Sequence, residues 1–167
     1  MTYQWDFHTV WQYIDLFLWG VAYTVAYTLG SIAIGIVFGA ATCAARLSDW
    51  LALRAVARTY QEIFRCSPLL VQLLWVYYAL PLLIGASIDN RVAALLTLSC
   101  YVGAFYAEIF RSGIVSIDRG QREAAMALGM NRSQSLRRII LPQALKRMLP
   151  PFINQSVIQF KNTSLIS

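Results

Sequence analysis

The chain is poor in charge, and poorest in acid. Of its 167 residues 13% are charged, with 14 Lys and Arg against 8 Asp and Glu and a single His. Soluble domains carry about 25% charged residues and about 45–50% apolar ones, whereas this chain is 58% hydrophobic. That balance excludes an ordinary soluble domain and predicts a membrane protein. Cys43, Cys66 and Cys100 are odd in number and scattered, so neither a disulfide framework nor a metal spacing follows. His8 has no ligand cluster around it. Paired carboxylates, a nucleophile–base set and a G-x-x-x-x-G-K-[ST] phosphate loop are all missing, so neither catalysis nor a cofactor is expected of this chain. The first fifteen residues hold two Asp and no Lys or Arg, which rules out the basic start of a secretory signal. Trp5, Trp11, Tyr13 and Trp19 suit an aromatic belt at the entry to a bilayer.

What is present is a series of apolar runs separated by basic ones. Residues 16–45 hold no charged side chain, and about 20 residues suffice to cross about 30 Å of hydrocarbon. Ser31, Gly35, Gly39 and Cys43 recur every four residues and lay a stripe of small side chains along this first span, against which another helix can approach closely. Residues 46–68 are amphipathic, with Trp50, Leu53, Ala57, Tyr60 and Phe64 on one face and Arg54, Arg58, Glu62 and Arg65 on another. This predicts a helix at the membrane surface, with Ser48 or Asp49 as N-cap. A second span is expected at 69–85, kinked or broken at Pro81, and a third at 92–110. The tetrapeptide Glu-Ile-Phe-Arg occurs at 62–65 and again at 108–111, on the same predicted membrane face. The expected pairing is crosswise, Glu62 with Arg111 and Glu108 with Arg65. A fourth segment, 148–160, reads as a short, polar span broken at Pro150 and Pro151.

Arginine fixes the predicted orientation. Arg46, Arg54, Arg58 and Arg65 lie between the first two spans, and eight basic residues from Arg111 to Arg147 follow the third. By the positive-inside rule both groups are cytoplasmic and the N-terminus is outside. The expected fold is therefore all-α, a single polytopic helical bundle in the membrane with a cytoplasmic helix-turn-helix-like loop at about 118–147.

That loop is the most distinctive stretch. Glu123, Ala124 and Ala125 open a helix, and Gly129 stands where it should stop in a left-handed conformation. Asn131 can cap a second helix, which runs through Leu136, Ile139 and Ile140 until Pro142 breaks it. Taken alone, the segment also suits a DNA-binding helix-turn-helix, so a membrane-tethered DNA-binding regulator is the alternative. The spans on either side and the Ile-x-Leu-Pro element favour a transporter.

The spacing Glu-Ala-Ala, three residues, Gly129, nine residues, Ile139, one residue, Leu141-Pro142 resembles the coupling loop of bacterial ABC-transporter permeases. QEIFRCSPLLVQLLWVYY, AFYAEIFRSGIVSI, ILPQALKRMLPPFINQ and FKNTSL resemble the polar amino acid uptake branch of that family, over nearly the whole chain from Leu16 onward. The resemblance implies a permease of the bacterial inner membrane that pairs with a second permease, identical or different. It implies a substrate delivered by an extracytoplasmic binding protein, and ATP hydrolysis on a separate cytoplasmic ATPase rather than on this chain. Glu123, Ala124, Ala125, Gly129, Ile139, Leu141 and Pro142 would then couple to that ATPase, and no nucleic acid is expected. The polar residues of the last segment, Asn154, Gln155, Gln159, Lys161, Asn162, Thr163 and Ser164, are candidates for the substrate path, since broken polar segments near the midplane line such paths. No acidic residue follows Glu123, which favours an acidic or neutral polar amino acid over a cationic one. The family continues past Thr-Ser-Leu into a further helix, which is expected to be lacking from a sequence that stops at Ser167.

Overall fold

The computed structural model describes residues 11–85 and 87–165. The expectations about Trp5 and His8 therefore lie outside the described residues. Every regular element among them is helical: α1 (Ile14–Arg46), α2 (Leu51–Cys66), α3 (Leu69–Leu74), α4 (Leu80–Ile84), α5 (Asn90–Val115), α6 (Arg119–Ala127), α7 (Arg132–Ser135) and α8 (Leu141–Asn162). Wide π-helical turns join α3 to α4 (Trp75–Ala79) and α7 to α8 (Leu136–Ile140), and a 3₁₀ turn, Thr163–Leu165, follows α8. By length and composition α1 and α5 can each cross a membrane. The helix pair Leu51–Cys66 and Leu69–Ile84 passes the same test jointly, bent by 109° at the Ser67-Pro68 break.

The small-residue stripe finds its partner within this chain. Ser31, Gly35, Gly39 and Cys43 are all buried, and they face α5. A Cβ built on Gly39 would lie 2.7 Å from Tyr106 Cβ and 3.1 Å from the Ala107 nitrogen, and one built on Gly35 would strike Val102 Cγ1. Gly30 neighbours Leu95 on the same line, so residue numbers rise together along both helices and α1 and α5 run parallel. Such packing needs small side chains because lipid supplies no hydrophobic drive between helices, and close contact must hold them together. Helix α8 runs the opposite way along α5. Met148 meets Gly113, Phe152 stacks 4.7 Å from Tyr106, Tyr106 and Ser156 share a hydrogen bond of 2.8 Å, and Gln159 reaches Leu98.

Five expectations need correction. Helix α2 starts at Leu51 with Trp50 at the N-cap; Ser48 Oγ accepts from the Trp50 N–H at 3.2 Å, so it orders the approach without capping the helix. Pro81 breaks nothing, because the π turn before it lets the Leu80 N–H reach the Trp75 carbonyl. Pro142 sits identically, after a turn in which the Leu141 N–H reaches Leu136. In each case a widened turn ending in Leu-Pro makes room for the ring that would clash in a regular α-helix. Pro150 and Pro151 lie inside α8, which stays helical for 22 residues. Each costs about 3 kcal/mol of helix propensity, but proline's fixed φ is already helical, and the packing of α8 on α5 offsets the loss. The third membrane helix is also longer than 92–110, because Asp89 caps it by accepting from the Arg91 and Val92 N–H groups at 2.8 and 3.4 Å.

Candidate functional site

The loop after α5 is built from two caps and a turn. Asp118 accepts from the Gly120 N–H at 2.7 Å and starts α6 at Arg119, four residues before the expected Glu123. At the other end Leu128 is the C-cap and Gly129 has φ +74°. The Gly129 N–H bonds the Met126 carbonyl at 2.9 Å and the Met130 N–H bonds Ala125 at 3.0 Å, the two bonds of a Schellman motif. Asn131 then caps α7. Its side chain accepts from the Gln134 N–H at 2.9 Å, and Gln134 Oε1 accepts from the Asn131 N–H at 3.0 Å, a complete capping box.

Helix α6 rests on the Leu136–Ile140 turn and α7 through one buried residue. Ala125 is wholly buried, and an alanine there allows close backbone approach. Below it Ile117, Ile140, Ala144 and Met148 form an apolar core with Ile109, Phe110 and Ile114 against it. Gln143 donates to Gln121 at 3.3 Å, and the Arg147 guanidinium donates to the Ser116 carbonyl. Every residue of α6 other than Ala125 is exposed in this chain. Glu123 and Ala124 are exposed, Met126 is 50% and Leu128 77% exposed. Of the other candidates in this loop, Gly129, Leu141 and Pro142 are exposed and Ile139 is half-buried.

The two Glu-Ile-Phe-Arg copies do meet, but only half of the crosswise pairing forms. Arg65 approaches Glu108 at 3.9 Å, while Arg111 bonds Glu108 on its own helix. Glu62 pairs instead with Arg58 one turn back, at 2.8 Å. Residues three apart on a helix are neighbours, so Arg111 engages Glu108 more closely than Arg65 or Gln61 of α2, whose Nε2 donates to it at 3.5 Å.

The polar residues of the last segment divide by face. Gln155, Gln159 and Thr163, four residues apart, are buried; Asn154, Lys161 and Ser164 are exposed, and Asn162 is half-buried. Gln159 Nε2 donates to Ser31 Oγ at 3.1 Å and to the Leu98 carbonyl at 3.3 Å, tying α8 to both α1 and α5. Gln155 Nε2, Gln159 Oε1 and Asn162 Nδ2 are buried without a hydrogen-bond partner. Sequence reasoning missed Asp118, Ser156 and Met148 as positioning residues. The Asp-x-Gly before α6 was the available signal for the first; nothing in the sequence marked the other two, whose partners lie 50 and 35 residues away.

Residues 31–167 match the family described as binding-protein-dependent transport system inner membrane component. The chain belongs to that family. It is a permease subunit of an ABC importer, a family that works with ATPase and substrate-binding partners and is not itself catalytic. It is 40% identical over 164 residues to the glutamine transport system permease protein GlnP of Escherichia coli K12, covering 97% of this chain and 74% of that protein. It is 36% identical over 171 residues to the glutamate/aspartate import permease protein GltK of Escherichia coli O157:H7, covering 98% and 76%. Among solved structures, an amino acid ABC transporter crystallised with histidines superposes with a TM-score of 0.92 at 34% identity, over 98% of this chain and 76% of that one. The DNA-binding alternative finds no support. The permease's α7 is four residues long and continues through a π turn into α8, so no free recognition helix exists to enter a groove.

Proposed function

We propose that this permease carries an acidic or neutral polar amino acid into the cell, with α6 seated on a cytoplasmic ATPase. The observation that carries the coupling half is the exposure of α6 on all sides of Ala125, with Glu123, Ala124, Met126 and, just past its end, Leu128 open on a helix capped at both ends. A helix so capped moves as a rigid lever: push on α6, and Ala125 and the core around Ile140 and Met148 transmit the push to α5 and α8. ATP-driven closure of the ATPase would supply the push. The arginine distribution supports a cytoplasmic position for this end and an outside N-terminus. A second permease, identical or different, and an extracytoplasmic binding protein complete the assembly.

The substrate half rests on charge, since relatives of similar identity are named for glutamine, for glutamate and aspartate, and for arginine. No carboxylate follows Glu123 to receive a cationic side chain. The buried, unpartnered atoms Gln155 Nε2, Gln159 Oε1 and Asn162 Nδ2 support placing the path along that face of α8, because unpaired buried polar groups are costly unless something completes them. On this basis Gln155, Gln159, Asn162 and Thr163 face the path; Asn154, Lys161 and Ser164 face away from it. Uptake of labelled glutamate in cells that depend on this transporter tests the proposal. Excess glutamate, aspartate or glutamine should abolish uptake and arginine should not. Strong competition by arginine with none by the other three would contradict it.

A further inference from the structure

The arginine-rich end holds a polar pocket outside α6. It has a volume of about 410 Å³ and is lined by Arg46, Arg58, Gln61, Glu62, Arg65, Cys66, Phe105 and Glu108, from α1, α2 and α5. Its carboxylates are already engaged: Glu62 by Arg58, and Glu108 by Arg111 and Arg65. Three arginines thus line the pocket with two carboxylates, and Arg111 shares one of these from outside it. Arg65 also lies 5.5 Å over the Phe105 ring, which holds its guanidinium toward the pocket. Arg46 is half-buried, yet among the described residues it has no hydrogen bond and no ion pair. Its charge acts on Glu108, a carboxylate that Arg111 and Arg65 already engage, so a half-buried guanidinium gains from an anion of its own.

We propose that this pocket binds the phosphate of an anionic phospholipid, with Arg46 as the principal contact and Arg58 and Arg65 beside it. Charge complementarity favours a phosphate, and the surroundings favour one that carries acyl chains. Trp50 and Leu51, four and five residues after Arg46 where α2 begins, are each 69% exposed, an apolar pair that a soluble anion would leave in water. Arg46 closes α1 and Arg111 lies one turn from the end of α5, where a headgroup meets the ends of two membrane helices. Basic pockets between membrane helices on this side hold acidic headgroups in the same way, with each Lys or Arg near the surface worth about 1 kcal/mol. This proposal concerns a site separate from α6 and does not require the substrate assignment.

Native mass spectrometry of the purified transporter with its partner subunits tests it. The complex is delipidated and then given phosphatidylglycerol, phosphatidylethanolamine, or inorganic phosphate at millimolar concentration. Phosphatidylglycerol should be retained in preference, Arg46→Gln should weaken retention roughly fivefold, and Arg46→Lys should largely restore it. Arg91→Gln, at the other end of α5, should change nothing. Equal retention of the two lipids, or unchanged retention in Arg46→Gln, would overturn the proposal. Displacement of phosphatidylglycerol by inorganic phosphate alone would replace the lipid by a soluble anion and overturn it as well. Since uptake is not the readout, failure of this test leaves the transport proposal standing, and the converse holds too.

Discussion

Gly129 shows how much a single residue can determine here. Its φ of +74° is the left-handed value that glycine adopts without penalty, and a Cβ there would meet nothing within 4 Å. The restriction is therefore one of backbone conformation and not of space. Asparagine tolerates that conformation, whereas for most side chains it costs about 1–2 kcal/mol. Gly129→Asn should accordingly keep near-normal uptake, and Gly129→Val should reduce both uptake and the thermal stability of the loop while still inserting into the membrane. Equal uptake by the two variants would show that the Schellman turn is dispensable. The glycine's role was legible because its chemistry is local. Ala125 was legible as part of a motif but not as the residue that faces inward, since which side of α6 is buried depends on Ile140 and Ala144 of helices that come later in the chain.

At the scale of elements, periodicity located the helices and proline misled. Leu16 to Ala45 needed no context to be a helix, and the stripe from Ser31 to Cys43 did bury itself. Each proline expected to break or kink a span instead follows a π turn or lies within α8, because tertiary packing outweighs local propensity. The sequence does not announce this: Leu-Pro at 80–81 and 141–142 each follows a five-residue π turn, yet Leu149-Pro150 lies within the regular helix α8. The salt bridges were half legible for a related reason: the repeated tetrapeptide placed Glu108 near Arg65, but Arg111 on the same helix claims the carboxylate first. The parallel contact of α1 and α5 gives a direct test. Gly39→Leu drives a side chain into Tyr106 and the Ala107 backbone, an overpacking that costs about 1–3 kcal/mol or more. Gly20→Leu, where a Cβ meets nothing within 4 Å, should be harmless. Recovery of folded protein after detergent extraction should fall for the first and not for the second. Equal recovery would mean that α1 and α5 do not pack as described.

Over the whole molecule, α1 and α5 run parallel and α8 returns along α5, so the ends of α1 and α5, the start of α8 and the loop all lie at one pole. That pole carries most of the arginines, and α6 rests on it through Ala125 while turning Met126 and Leu128 outward. Such an arrangement suits a part that is gripped from one side and pulls on the membrane from the other. The sequence predicted the pole through charge; the direction in which α6 faces required the fold. The most direct measurement is on Leu128, which is exposed and bears no load in the permease itself. Exposed anchors of this kind are worth at least about 2 kcal/mol to a partner when they fill its pocket. Leu128→Asp should insert and fold as the unmodified permease does, but its co-purification with the ATPase should fall by at least about tenfold, and uptake with it. Full ATPase recovery and full uptake by Leu128→Asp would contradict the assignment of α6 as the coupling helix.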